Sequence, residues 1–123
     1  MKRIFLIEDD VSLCSLLAKM LKFEGISTII ANDGPVAKKI LEQFNGKINV
    51  ILCDIMMPGM DGYEFFECVK QTKKFADVPF VFVSARVSKE EEVKGLSMGA
   101  RAFLKKPVDI ATILSVIHQF DKN

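Results

Sequence analysis

The sequence predicts a doubly wound α/β domain built on a parallel sheet, and three observations carry that expectation. Short apolar runs alternate with longer segments whose apolar residues recur every three or four positions. The short runs lack polar alternation, so each strand is buried on both faces, as in a parallel sheet with helices on either side. Turn-forming residues fall between the segments, at Gly25, Asp33-Gly34-Pro35, Asn45-Gly46, Pro58-Gly59, Pro79, Gly99 and Pro107.

The elements follow in order as a five-fold strand–helix repeat. Strands are expected over residues 4–7, 28–31, 50–53, 80–83 and 102–104. Leu13, Leu16, Leu17, Met20 and Leu21 mark the core face of the first helix, and Ala37, Ile40, Leu41 and Phe44 that of the second. Phe65, Phe66 and Val69 mark the third, Val93, Leu96 and Met98 the fourth, and Ile110, Ile113, Leu114 and Ile117 the fifth. Asp10 and Asp61 stand where N-caps of the first and third helices are needed.

A chain of 123 residues supports one domain with one core, here read as residues 1–123. Hydrophobic residues make up 50% and charged residues 27%, a globular rather than disordered composition. A formal net charge of +1 argues against a basic nucleic-acid-binding protein. No apolar run approaches the ~20 residues of a membrane span. The N-terminal apolar run ends after four residues at three carboxylates, unlike a signal peptide, so a cytoplasmic setting is expected. Cys14, Cys53 and Cys68 are an odd, widely spaced set without metal-ligand spacing and read as reduced thiols. His118, the single histidine, lies far from the strand ends.

In such a sheet, ligands bind beyond the carboxyl ends of the strands. Glu8, Asp9 and Asp10 follow the first strand, Asp54 the third, Ser84 the fourth and Lys106-Pro107 the fifth. Clustered carboxylates repel unless a cation compensates. A hard divalent ion with oxygen ligands does so, and Mg²⁺ fits best because it leaves room for waters and a phosphate oxygen. With the Lys106 amine and the Ser84 hydroxyl, the set suits a phosphoryl group. Asp54 is the natural nucleophile and would form an acyl phosphate, while Glu8 and Asp9 are suited to the metal.

These residues sit in four motifs: Ile4-Phe5-Leu6-Ile7-Glu8-Asp9-Asp10, Leu52-Cys53-Asp54-Ile55-Met56-Met57-Pro58-Gly59-Met60-Asp61-Gly62, Val83-Ser84-Ala85, and Gly99-Ala100-Arg101-Ala102-Phe103-Leu104-Lys105-Lys106-Pro107. The sequence resembles the receiver domains of two-component response regulators, including the single-domain chemotaxis type. That resemblance implies a flavodoxin-like (βα)5 fold with strand order 2-1-3-4-5. It implies Asp54 as phosphoacceptor, with Mg²⁺ held by Glu8, Asp9, Asp54 and the backbone carbonyl of Met56; Mn²⁺ could substitute. Ser84 and Phe103 match switch positions, Lys106 the phosphate-pairing lysine, and Lys106–Pro107 a cis peptide. Met56 and Arg86 occupy the positions that tune acyl-phosphate lifetime. The alternative is a degenerate receiver serving as a phosphorylation-independent docking module.

The resemblance also implies partners. A sensor histidine kinase or histidine phosphotransfer protein would dock near helix one, and an output partner or dimer mate on the face of helix four, strand five and helix five. The apolar residues of helix one span an arc of roughly 220°, wider than a core stripe. Helix five is apolar and uncharged from Ile110 to Phe120, so part of its surface is expected to face outward as an interface. It lacks the charged pairs through which DNA-binding response regulators dimerise, which argues against that subclass. With the near-neutral charge and the short apolar runs, neither direct nucleic-acid binding nor a membrane partner is expected.

Overall fold

The computed structural model describes residues 2–86 and 88–120. Met1, Val87 and residues 121–123, Asp121 among them, lie outside the described residues. Ten elements alternate strictly: β1 (Lys2–Ile7), α1 (Val11–Phe23), β2 (Ile26–Ala31), α2 (Gly34–Gln43), β3 (Val50–Asp54), α3 (Gly62–Gln71), β4 (Phe80–Ser84), α4 (Lys89–Met98), β5 (Ala102–Lys105) and α5 (Ile110–Phe120). The five strands form one parallel sheet in the order β2-β1-β3-β4-β5. Strands one to five all run longer than expected, by one or two residues, so Asp54, Ser84 and Lys105 are the last residues of their strands.

The sheet divides the single core expected from the length into two, fed by alternate residues of the central strands. Phe5, Ile7, Ile51, Cys53, Phe80 and Phe82 face α2 and α3, where Phe65, Phe66 and Val69 meet them. Ile4, Leu6, Val50, Leu52 and Val81 face α1 and α5. Burial on both faces explains why these strands read as uninterrupted apolar runs. The first core is aromatic: Phe66 and Phe80 pack edge to face at 4.9 Å, and Phe80 meets Phe82 at the same distance.

The helix starts are fixed locally. Asp10, Asp33, Asp61 and Ser88 each accept a hydrogen bond from the backbone N–H three residues on. Asp61 and Glu64 complete a reciprocal capping box at α3.

Two helices differ from expectation. In α4, Val93 and Leu96 point to solvent, and the buried contact is Gly95. A Cβ at Gly95 would lie 2.9 Å from the Phe82 ring and 3.1 Å from that of Phe103, so the absent side chain is what lets α4 lie this close to the sheet. In α5 the apolar excess turns inward instead of forming an outward patch. Ile113, Val116 and Ile117 are buried, Ile110, Leu114 and Phe120 are half-buried, and the exposed positions are Ala111, Thr112, Ser115, His118 and Gln119. The helix packs on the sheet and on α1 together, which consumes its wide apolar arc. Helix one does expose apolar surface, at Val11, Leu16 and Phe23.

Candidate functional site

Parallel strands all deliver their carboxyl ends to one edge, and this gathers residues distant in sequence. Glu8 follows β1 and is buried, tied down by the Glu8 N–H donating to the Ala31 carbonyl at the end of β2. Its carboxylate accepts the Asp10 N–H at 3.0 Å. Asp54 ends β3, also buried, and accepts the Met56 N–H at 3.2 Å. Asp9 is exposed at the mouth. One carboxylate oxygen from each of Glu8, Asp9 and Asp54 lies within 4.8 Å of the other two.

Lys106 crosses from the end of β5 to this group. Its ammonium lies 2.5 Å from Glu8 and 2.9 Å from Asp54. The Lys106–Pro107 peptide is cis. Burial pushes the Glu8 carboxyl up from its ordinary range, more than Lys106 and the Asp10 N–H pull it down, and neighbouring Asp9 adds to the rise. For Lys106, burial alone would lower the pKa, but the hydrogen bonds and charges of Glu8 and Asp54 outweigh it and the net direction is up. One ammonium thus faces three carboxylates. Hard oxygen donors with excess negative charge fit a divalent cation such as Mg²⁺ better than any soft metal.

Ser84 is buried beside this edge, yet its hydroxyl is turned to the following loop. It donates to the Arg86 carbonyl at 2.9 Å and accepts the Arg86 N–H at 3.1 Å. Phe103 is half-buried, its ring centroid 6.2 Å from that of Phe82 and its edge under Gly95. Met56 and Arg86 are exposed around the rim. The carboxylates and Lys106 therefore form a contacting group that Met56 joins through its backbone N–H, while Ser84, Phe103 and Arg86 surround it without joining its hydrogen bonds.

Two further residues support the site, Asn32 and Gly62. Asn32, just past β2, donates to the Glu8 carbonyl at 2.9 Å and so fixes the acidic turn. Its only sequence signal was a polar residue directly after a strand. Gly62 opens α3 beneath the Asp54 peptide: a Cβ there would lie 2.7 Å from the Asp54 carbonyl oxygen. A glycine following a helix cap is a weak cue, since the close approach comes from strand–helix packing.

Between the site and α1 lies a cavity of about 410 Å³, walled by Leu13, Leu17, Leu52, Leu104 and Ile113, with Glu8, Asp54 and Lys106 at one end. Cys14 and Cys53 are buried close by, and Cys68 is half-buried. Burial and the Glu8 and Asp10 charges push the Cys14 thiol up to about 11. Burial and the charge of Asp54 push Cys53 well up. Among the described residues no helix is long and apolar enough to cross a membrane.

Comparison with known proteins agrees with this arrangement. The transcriptional regulatory protein CpxR of Escherichia coli is 36% identical over 107 residues, covering 87% of this chain and 44% of CpxR. The chain spans about half the length of the curated relatives it matches. The chemotaxis protein CheY4 of Vibrio cholerae superposes with a TM-score of 0.88 at 25% identity, covering 98% of each chain. The receiver domain of a Pseudomonas aeruginosa sensor histidine kinase, solved with magnesium in its active site cleft, shares the fold at a TM-score of 0.86 and 22% identity, covering 99% of this chain and 98% of that one. The family of response regulator receiver domains matches residues 4–118. From sheet order to the ends of its strands, the chain belongs to the receiver domains of two-component response regulators.

Proposed function

We propose that this chain, read as one receiver unit over residues 1–123, is a phosphoacceptor that takes a phosphoryl group on Asp54 from a phosphohistidine in a cytoplasmic signalling relay. The observation that carries this reading is the Lys106 ammonium bound to both Glu8 and Asp54, with Asp9 beside them. A docking module that had lost its chemistry would have no use for buried carboxylates held by a half-buried lysine.

The Asp54 carboxylate oxygen attacks phosphorus and forms a P–O bond. The P–N bond to imidazole breaks, and its electron pair leaves on the ring nitrogen, which takes up a proton. The Met56 N–H orients Asp54, and Lys106 stabilises the charge on the phosphoryl oxygens. Glu8, Asp9, Asp54 and the Met56 carbonyl would hold Mg²⁺, or Mn²⁺ in its place. That ion supplies positive charge to the oxygens of the transferring group. The magnesium in the Pseudomonas aeruginosa receiver's cleft supports this. Water later attacks the acyl phosphate and releases inorganic phosphate, with Met56 and Arg86 limiting its approach. The chain acts on itself and turns over no separate metabolite.

The new charge of about −1.5 to −2 draws the Ser84 hydroxyl away from Arg86. Phe103 follows inward, and the face of α4, β5 and α5 shifts towards a form that already exists in equilibrium. The donor, a sensor histidine kinase or histidine phosphotransfer protein, docks near α1, where Val11 and Leu16 are exposed. The output partner or dimer mate meets the α4-β5-α5 face, where α4 rather than α5 offers apolar surface, at Val93 and Leu96.

The test is incubation with a small phosphodonor and Mg²⁺, followed by intact mass measurement. One phosphoryl group should be gained, with no gain in Asp54→Asn. An equal gain in that variant, or none with any donor, overturns the reading.

A further inference from the structure

We propose that the groove at the amino edge of the sheet, opposite the acidic cluster, docks an acidic peptide segment of a partner protein that carries aliphatic anchor residues. The near-zero net charge of the chain conceals a segregation of charge. Carboxylates crowd the carboxyl edge, whereas among the described residues the groove at the other end is lined by Lys47, Lys73, Lys74 and Arg101, with Asp77 as the one carboxylate. Its volume is about 560 Å³, within the range of ligand pockets.

Lys47, Lys73 and Arg101 come from three separate connections, α2–β3, α3–β4 and α4–β5. All three are exposed, and among the described residues no hydrogen bond or ion pair engages their side chains. Nearby cations behave otherwise. Arg3 donates to the Lys47 carbonyl at 3.1 Å, Lys70 to the Ala76 carbonyl at 3.0 Å and Lys74 to the Phe44 carbonyl at 2.6 Å. Those side chains close the connections, and the other three stand around the groove with no compensating partner among the described residues. Such a surface is complementary to an anionic partner.

The floor decides which anionic partner. Val78, Pro79 and Phe120 are half-buried there, surface that aliphatic side chains would cover. Single-stranded nucleic acid needs exposed aromatic faces for its bases. Of the two rings among the described lining residues, Phe120 is only half-exposed, and Phe75 is 2% exposed with Lys74 over its ring at 5.3 Å, so no pair of open faces is offered for stacking. An acidic peptide with leucine-like anchors uses both the rim and the floor. The groove flanks the starts of β3, β4 and β5, so docking is separable from chemistry at Asp54.

The test is fluorescence anisotropy with a fluorescein-labelled peptide of Glu, Asp and Leu, about the length of a docking strand or helix turn pair. Saturable binding is expected at low salt. It should weaken at least about tenfold in the double variant Lys73→Glu/Arg101→Glu, and again at about 0.5 M salt, where charges are screened within a few ångström. Asp54→Asn should bind unchanged, so failure here and failure of the phosphoacceptor reading are distinguishable. Circular dichroism confirms that the charge-reversal variant is folded. Absent binding, equal affinity in the folded reversal variant, equal binding of a peptide with Ser in place of Leu, or tighter binding of an oligothymidylate would each overturn the proposal.

Discussion

The Lys106 ammonium stands between two buried carboxylates, 2.5 Å from Glu8 and 2.9 Å from Asp54. It joins the last strand of the sheet to the ends of the first and third. Replacing it with Met leaves two desolvated carboxylates facing each other. Breaking such a pair by removing one partner costs on the order of 3 kcal/mol. Urea unfolding of Lys106→Met near neutral pH should show that loss. Added Mg²⁺ should recover more stability in the variant than in the parent, because an external cation then replaces the missing ammonium. Equal stability of the two metal-free proteins would contradict this account.

Gly95 sets the seat of α4. Ala is the better helix former by about 1 kcal/mol, yet here its methyl would lie 2.9 Å from Phe82, a ring locked among Phe66, Phe80 and Tyr63. Steric conflict with a ring that cannot yield outweighs propensity. Gly95→Ala should lose about 1–2 kcal/mol, read from chemical denaturation. Hydrogen exchange should quicken selectively in α4. A stabilised variant would show that the helix shifts at no cost.

Cys14 links stability to alkaline pH. Its thiol titrates at about 11 in the folded chain, against an ordinary value of 9.0. Between those values the unfolded chain gives up this proton first and so binds fewer protons than the folded one. Stability is fully present below pH 9 and falls as pH rises through 11. Urea unfolding across that window should show a shallower fall for Cys14→Ala than for the parent. Cys53 contributes in the same direction and keeps some slope in the variant. Parallel slopes would remove Cys14 from the explanation.

Much of the fold was legible because it rests on local and periodic signals. The caps at Asp10 and Asp61 needed only the hydrogen bond from a residue three positions on. The candidate site was legible because parallel strands leave each terminal residue at the same edge, so Glu8, Asp9, Asp54 and Lys106 could be grouped by counting strand ends. Helix four was misjudged for a physical reason. A core stripe is read from large apolar residues, whereas this helix packs through a glycine and turns Val93 and Leu96 outward. Helix five misled in the opposite sense: its apolar breadth is absorbed by the sheet and α1 together.

By itself the sequence determined the strand–helix alternation, the double burial of the strands and the identity of the residues at the carboxyl edge, since these follow from periodicity and chain direction. Tertiary structure alone decided that Lys106 bonds both Glu8 and Asp54, that the Ser84 hydroxyl turns to Arg86, and that cations from three separate connections gather at the opposite edge. Periodicity assigns a face to each residue but not a distance, and ion pairing, hydroxyl direction and charge segregation depend on how separate elements meet.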